Sequence, residues 1–355
     1  MTTNRIVIGG ASGFLGSRLR EELTADGWQV ATIGRSGADA SWDDPAAILR
    51  LVDGADAVIG LAGKSVDCRY NDANRTEILR SRVETTRALA TAIAASERPP
   101  AVWLNASTAT IYRHAMDRPQ TESTGELGSG FSVDIARNWE REFFAPELPD
   151  TRRVALRIAI ALGDGPATNM LFRLARLGVG GPQFDGPWFR HRRYRGIGSD
   201  PTEPAGHGWH RTRGRQRFSW VHVDDVVGAV RFALATDSLA GPVNVASPGA
   251  SDNRTVMRAM RRTVGAWFGL PAFRWMLEPA TWVLRTESEM VLKSRWVASE
   301  KLLAAGYEFR WPELEPALRD IYAGRRAGSA RSAAATPGSA ATPGSAATPN
   351  PNPPD

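Results

Sequence analysis

The chain has 355 residues, 42% hydrophobic and 23% charged, the balance of an ordinary globular protein of about two domains. A single cysteine, Cys68, excludes a disulfide scaffold and any multi-cysteine zinc site; five scattered histidines argue against a dedicated metal enzyme, and no apolar run approaches the roughly 18 residues of a membrane span. The formal net charge is +6, yet residues 188–217 alone hold eight arginines against Asp200 and Glu203, so the excess belongs to one segment and not to a general nucleic-acid or membrane surface. Only three of the 44 basic residues are lysine: Lys64, Lys293 and Lys301. With no secretory leader ahead of the first strand, the expected location is cytoplasmic.

Residues 4–8 are apolar and β-branched and read as a buried parallel strand, followed by a glycine-rich turn. Helical periodicity runs from 14 to 26 through Phe14, Leu15, Leu19 and Leu23 and ends at Gly27. A strand over 29–33, a short helix over 45–52 and a strand over 57–61 follow. A long helix over 73–96 stops before Pro99-Pro100, and then come a strand at 101–106, a helix at 132–145 and a strand at 153–160. A helix near 167–177 precedes residues 184–216, which lack periodicity and read as a long basic loop, a flexible surface insertion placed to act as a lid. A strand at 217–221, a helix to about 236, a strand at 242–246, a helix at 252–265 and a helical segment at 270–320 complete the pattern. From 327 the chain is rich in Ala, Thr, Pro, Gly and Ser, with Ala-Ala-Thr-Pro-Gly-Ser repeated, and is expected to be disordered to residue 355.

Strands alternating with helices indicate an α/β fold: a Rossmann-type doubly wound parallel sheet with a smaller, mainly helical C-terminal substrate domain. The expected division is 1–165 plus 217–247 for the dinucleotide-binding domain, 166–216 for a substrate-side segment carrying the insertion, and 248–325 for the C-terminal domain.

Gly10-x-x-Gly13-x-x-Gly16 lies between the first strand and the first helix. The first glycine permits a tight turn, the second lets backbone approach a pyrophosphate, and the third lets the helix pack close to the sheet. Gly10, Ala11, Ser12, Gly13, Phe14, Leu15 and Gly16 are therefore the candidate phosphate loop, with the helix N-terminus facing the charge. A fold preferring NAD usually places an acid at the end of the second strand. Here stand Arg35 and Ser36, an arginine fork and a hydroxyl suited to a 2′-phosphate, so NADP(H) is preferred over NAD(H).

The glycine spacing, with Leu61, Ala62 and Gly63 closing a later strand, resembles the extended short-chain dehydrogenase/reductase superfamily. Ser107-Thr-Ala-Thr-Ile-Tyr112, Gly178-Val-Gly-Gly-Pro182, Trp220-Val-His-Val-Asp-Asp225, Gly241-Pro-Val-Asn-Val-Ala-Ser-Pro248 and the stretch 302–311 narrow the resemblance to the NAD-dependent epimerase/dehydratase-like branch. That branch carries its own C-terminal domain of unknown function. The resemblance implies an oxidoreductase or epimerase acting on a small, sugar-like molecule, with Leu61, Ala62 and Gly63 beside the cofactor. It also points to a homodimer through the helices at 73–96 and 132–145.

The superfamily's usual proton-transfer pair is Tyr-x-x-x-Lys. Four residues after each of the five tyrosines stand Asn74, Met116, Gly198, Trp311 and Arg326, so the pair is absent. Phe131 and Ile135 stand where the resemblance would place it, and neither moves a proton. The remaining catalytic candidates are Thr108, Ser107 in a shifted register, and Tyr112 as a substitute acid or a structural hydroxyl. Arg113 and His114 are candidates for an anionic substrate or a solvated loop; His222 reads as structural, and Asp224 and Asp225 as a helix cap. No metal site is expected. The missing pair also leaves open a non-catalytic NADP(H)-binding redox sensor or scaffold. The arginines of the insertion interleave with Trp188, Phe189, Tyr194 and Trp209, but without a recognisable module this argues against a nucleic-acid partner, and no membrane partner is expected.

Overall fold

The structure, a computed structural model, describes residues 4–205 and 209–334. Its first half alternates β1 (Arg5–Gly9), α1 (Phe14–Ala25), β2 (Gln29–Gly34), β3 (Ala40–Ser41), α2 (Pro45–Val52), β4 (Ala57–Gly60), α3 (Asp72–Ala95), β5 (Val102–Thr108), α4 (Phe131–Phe144) and β6 (Arg152–Ile158). There follow β7 (Ile160–Leu162), α5 (Pro166–Arg176), β8 (Gln183–Phe184), β9 (Arg217–Phe218), β10 (Trp220–His222), α6 (Val223–Ala235), β11 (Gly241–Val245), β12 (Ser251–Asp252) and α7 (Asn253–Val264). The chain ends with β13 (Ala272–Phe273) and helices α8 (Arg274–Val283), α9 (Glu289–Leu292), α10 (Glu300–Ala304) and α11 (Leu314–Ala334).

Seven strands form one parallel sheet in the order β11-β6-β5-β4-β1-β2-β3. This is the doubly wound Rossmann-type sheet expected from the alternation. Side chains of successive strand residues point to opposite faces. Ile6 and Ile8 pack with Leu19 and Leu23 of α1 and Val226 and Val230 of α6. Val7 packs on the other face with Ile48 of α2, Leu89 and Ile93 of α3 and Phe143 of α4. The strand order turns around at β1, which has β2 on one side and β4 on the other, and ligands of such sheets bind outside the strand ends at that point.

A second core joins the C-terminal helices: Phe172 of α5, Val256 and Met260 of α7, and Leu314, Leu318 and Ile321 of α11 surround Trp220. The structure adds the short strands β3, β7 and β12 to the expected elements and departs from them further as follows. The insertion is not loop alone, because β8 pairs with β13 and residues Arg192–Tyr194 make a helical turn. The 270–320 segment is interrupted by an extended stretch in which Arg295 N donates to Arg217 O at 2.8 Å and Gln120 N to Trp296 O at 2.7 Å. Backbone groups of distant loops outcompete helix continuation there. Finally α11 runs to Ala334, into the segment from 327 expected to lack structure, and residues 335–355 lie outside the described residues.

Candidate functional site

At the end of β1, Gly10 adopts φ +84°, and a Cβ there would stand 2.8 Å from the amide nitrogen of Ala62. Only glycine tolerates both the dihedral and the contact. The turn is pinned on both sides, because Gly10 N donates to Ile33 O at 2.9 Å and Leu61 N donates to Gly9 O at 2.8 Å. A Cβ on Gly16 would strike the carbonyl oxygen of Gly10, so α1 sits directly against the turn. Helix α1 begins at Gly13 without a side-chain cap and without an acid in its first turn. Its first N–H groups and positive dipole end are thus left for an anion. Ala11 is buried under the turn, Ser12 and Phe14 are exposed, and Leu15 is partly buried.

Arg35 and Ser36 are exposed just past β2, and no carboxylate pairs with Arg35 among the described residues. Asp39, the next acid in the chain, is engaged elsewhere: Thr32 N and Thr32 Oγ1 each donate to its Oδ2 at 2.8 Å. The cradle, the uncapped helix and the unpaired arginine fit a phosphorylated dinucleotide. Leu61 and Ala62 are partly buried and Gly63 is exposed beyond β4, across the turn from Gly10.

The end of β5 is built differently. Ser107 is buried and its Oγ donates to Glu140 Oε1 at 2.6 Å. Arg157 grips the same carboxylate with both arms, Nε to Oε1 at 2.8 Å and Nη2 to Oε2 at 2.7 Å. Its Nη1 donates to the Tyr112 hydroxyl at 2.8 Å, and that hydroxyl lies 2.9 Å from Asn244 Oδ1 and 3.1 Å from Thr121 O. Tyr112 is 2% exposed, and burial raises its pKa. Both hydroxyls are thus buried and engaged within the protein. Thr108 is different: half-buried at the strand tip, its Oγ1 accepts from Thr110 N at 3.1 Å, which leaves the hydroxyl proton free.

Phe131 and Ile135 on α4 are both buried, in one cluster with Tyr70 and Ile78, against which Tyr194 and Ile197 of the insertion pack. Phe131 meets the Tyr70 ring edge-on at 4.6 Å, and the Arg75 guanidinium lies 4.6 Å from its centroid. The insertion is tied down here. Buried Asp134 accepts from Thr202 N at 2.7 Å, Thr202 Oγ1 at 2.8 Å and Ile197 N at 3.1 Å. Arg75 donates to the carbonyls of Arg192, Arg193, Arg195 and Gly196. Arg193 binds Glu278 at 2.6 Å and Glu287 at 2.9 Å, both buried in the C-terminal region. The segment expected to be a flexible insertion therefore carries a network of directed bonds, because its backbone carbonyls and amides satisfy charges on α3 and α4.

The C-terminal region also delivers groups that the sequence did not mark. Lys293 Nζ donates to Thr110 O at 2.8 Å, and Arg295 Nε donates to Thr110 Oγ1 at 3.2 Å. Glu289 accepts from Ser132, in the first turn of α4, at 2.9 Å. Burial lowers the pKa of Lys293 to about 8, against the opposing pull of Glu289, and lowers that of Arg295. Both remain partly exposed. The only signal available beforehand was the scarcity of lysine in a chain that otherwise uses arginine.

Arg113 is occupied by Asp117 at 2.7 Å and Glu126 at 3.0 Å. His114 is stacked on His210 at 3.6 Å, and burial together with nearby cations pushes its pKa to about 3, so it stays neutral. Neither is placed to receive an anion. His222, not an aspartate, supplies the side-chain cap of α6, its Nδ1 accepting from Asp224 N at 3.1 Å. Asp225 instead accepts from Arg310 N at 2.7 Å and Trp311 N at 3.0 Å, tying the C-terminal region to the sheet. His222, Asp224 and Asp320 come together, but Nδ1 of the neutral imidazole is already an acceptor, so Nε2 carries the proton and offers no lone pair to a cation.

Residues 6–130 match the NAD dependent epimerase/dehydratase family, and residues 274–321, which include Lys293 and Arg295, match a domain of unknown function, DUF1731. The chain is 31% identical over 329 residues to the epimerase family protein SDR39U1 of Bos taurus, covering 90% of this chain and 100% of that protein. It is 26% identical over 330 residues to the epimerase family protein YfhF of Bacillus subtilis, covering 90% and 99%. The crystal structure of human SDR39U1 (isoform 2) with NADPH superposes with a TM-score of 0.74 at 26% identity, covering 90% of this chain and 99% of that one. A UDP-N-acetylglucosamine 4-epimerase from Bacillus cereus, at 17% identity and a TM-score of 0.65 over 91% of this chain and 97% of that one, shares the fold alone. The chain thus belongs to the SDR39U1-type epimerase family, a DUF1731-bearing branch of the extended short-chain dehydrogenase/reductases.

Proposed function

We propose that the protein is an NADP(H)-dependent oxidoreductase or epimerase acting on a small, sugar-like substrate. The observation that carries this reading is the glycine cradle: Gly10 closed against Ala62, an uncapped α1, and an unpaired Arg35 at the end of β2. That the human relative was solved with NADPH supports the same cofactor. The loop from Gly10 to Gly16 would hold the pyrophosphate, Arg35 and Ser36 the 2′-phosphate, and Leu61, Ala62 and Gly63 the edge beside β4. When bound, the nicotinamide supplies hydride transfer to or from a substrate carbon.

The chain's own residues orient the substrate and handle the proton. Thr108 keeps its proton and donates a hydrogen bond from its hydroxyl to the substrate oxygen. In place of the absent tyrosine and lysine, the Lys293 ammonium gives a proton to that oxygen in the reducing direction and takes it back in the oxidising one. Its lowered pKa suits that exchange near neutral pH. Arg295 holds a neighbouring polar or anionic group. Ser107 and Tyr112 act as scaffold, fixing β5 to α4 and β6 through Glu140 and Arg157.

A second reading, a non-catalytic NADP(H) sensor or scaffold, is supported by the absence of Tyr-x-x-x-Lys and by the burial of Phe131 and Ile135, where the resemblance would place that pair. Calorimetric titration with NADPH and NADH, on the wild type and Arg35→Ala, tests the cofactor. NADPH is expected to bind tighter, and the variant to lose that preference by about ten- to a hundred-fold, the worth of a charge-assisted phosphate contact. Failure of both nucleotides to bind would remove the proposal. Binding without NADPH oxidation over a panel of sugar and carbonyl compounds would leave the sensor reading in its place.

A further inference from the structure

Three of the chain's twelve tryptophans stand almost free in one stretch: Trp267 is 91% exposed, Trp275 66% and Trp282 69%. Single exposed apolar residues are common on monomers, but a contiguous group of large ones marks an interaction surface. Trp275 and Trp282, two turns apart, share one side of α8, and Trp267 lies eight residues before Trp275 in the same stretch. Phe268 lies over Gly178, where a Cβ would fall 2.6 Å from its ring, and Leu270 N donates to Gly178 O at 2.8 Å, which joins the stretch to the exposed end of α5 at Leu177. Pairing of β13 with β8 anchors the start of α8 beside it.

The rim of this face has one sign of charge. Between Asn253 and Thr286 there are six arginines and a single carboxylate, Glu278. That carboxylate is buried and held by Arg193 at 2.6 Å and Arg274 at 3.1 Å. Arg173 and Arg176 of α5, Arg258 of α7 and Arg285 after α8 are exposed and pair with no carboxylate among the described residues. Arg285 sits at φ +56° where α8 ends, with its N–H donating to Trp282 O at 3.2 Å and the next N–H, of Thr286, to Thr281 O at 2.9 Å. Glycine fits that left-handed position, and an arginine there costs about 1–2 kcal/mol. A cation is thus placed directly beside Trp282 and Val283 at a cost in backbone strain.

We propose that this face, made by α8, the 266–273 stretch and the end of α5, docks on the surface of an anionic lipid bilayer. Indole rings settle at the headgroup level, and arginines reach lipid phosphates while their carbon stems lie along apolar surface. The charge argues against a second copy as the occupant. A two-fold contact would set these arginines against their own images, and the one carboxylate of α8, Glu278, is buried. No helix among the described residues is long and apolar enough to cross a membrane, so the contact is peripheral. The expectation of no membrane partner rested on the lack of a span and on the excess charge lying in residues 188–217; peripheral docking needs no span, and this face lies outside that segment.

Flotation of the full chain with vesicles tests the proposal, comparing phosphatidylcholine alone with phosphatidylcholine mixed with phosphatidylglycerol, at low and high salt. Binding to the anionic vesicles is expected, with loss at high salt. Trp275→Ser with Trp282→Ser is expected to weaken it at least about ten-fold, and Arg285→Gln about five-fold. If the double variant folds poorly by circular dichroism, Trp267→Ser replaces it, since that ring is 91% exposed. Absence of binding to the anionic vesicles, or equal binding to phosphatidylcholine alone, overturns the proposal. So does a wild-type dimer that the tryptophan variants dissociate, which would assign the face to a second copy.

Discussion

At the end of β1 the candidate site is made of backbone, and at the end of β5 it is made of side chains. The glycine loop is closed by main-chain bonds from Gly10 N to Ile33 O of β2 and from Leu61 N, just past β4, to Gly9 O, and it depends on what is missing, a Cβ. The region beside α4 is assembled from Thr110 after β5, buried Asp134, the 192–202 part of the insertion, and Lys293 and Arg295 from the C-terminal region. A backbone site tolerates change around it as long as the turn survives. A side-chain site depends on which segments the fold brings together, and here Phe131 and Ile135 of α4 lie in a buried cluster while Lys293 and Arg295 reach Thr110 from the C-terminal region.

The comparison is tested most severely at Glu140. Glu140→Ala leaves Arg157 buried without its carboxylate and strips Ser107 of its acceptor, so a loss of about 3–5 kcal/mol in urea unfolding is expected. Dinucleotide affinity should be largely retained in the fraction that folds, because no glycine-loop bond is touched. An equal collapse of binding would show that the two ends are one unit.

Gly10→Ala strikes the other end. It forces a Cβ into a left-handed residue 2.8 Å from Ala62 N, and about 2–4 kcal/mol is expected from dihedral cost plus overpacking. Calorimetry should find no dinucleotide binding; retained affinity would mean the cradle is softer than its geometry. Asp134→Asn removes the charge that receives Thr202 and Ile197, with an expected cost of about 1–3 kcal/mol. The readout is limited proteolysis, with faster cleavage confined to the insertion. Unchanged cleavage would mean that Arg75 alone holds the segment.

The smallest effect concerns pH. Lys293 is held at about 8, below the ordinary lysine value of about 10.4. Between those values the unfolded chain binds more protons than the folded one, so this group's contribution to stability rises with pH across that window and is flat on either side. Thermal melts across the window should show the rise in the wild type and not in Lys293→Met. If Lys293 donates the proton, turnover in the reducing direction falls above about pH 8 as the ammonium is lost.

Much of this was legible in order along the chain. The alternation of apolar strands and periodic helices specified the sheet. The spacing of Gly10, Gly13 and Gly16 marked the loop: the left-handed dihedral of Gly10 and the close packing of Gly16 on Gly10 and Ala11 are set within a few residues, although the contact that forbids a Cβ on Gly10 is with distant Ala62. The absence of Tyr-x-x-x-Lys was equally readable. Tyr112 was not: whether its hydroxyl is an acid or a strut depends on Arg157 and Asn244, which the fold brings from β6 and β11. The insertion looked like loose surface because the groups that fasten it, Arg75 and Asp134, lie on helices whose own sequences give no sign of that duty.

The sequence by itself determined the doubly wound sheet, the dinucleotide cradle and the arginine at the end of β2, since periodicity, glycine dihedrals and strand-end chemistry are local properties. Only the tertiary structure decided that Lys293 meets Thr110, that Phe131 and Ile135 are sealed into a core, and that Trp267, Trp275 and Trp282 face outward. Those outcomes depend on which distant surfaces are left to cover a side chain once the sheet has formed, and local patterning carries no record of that competition.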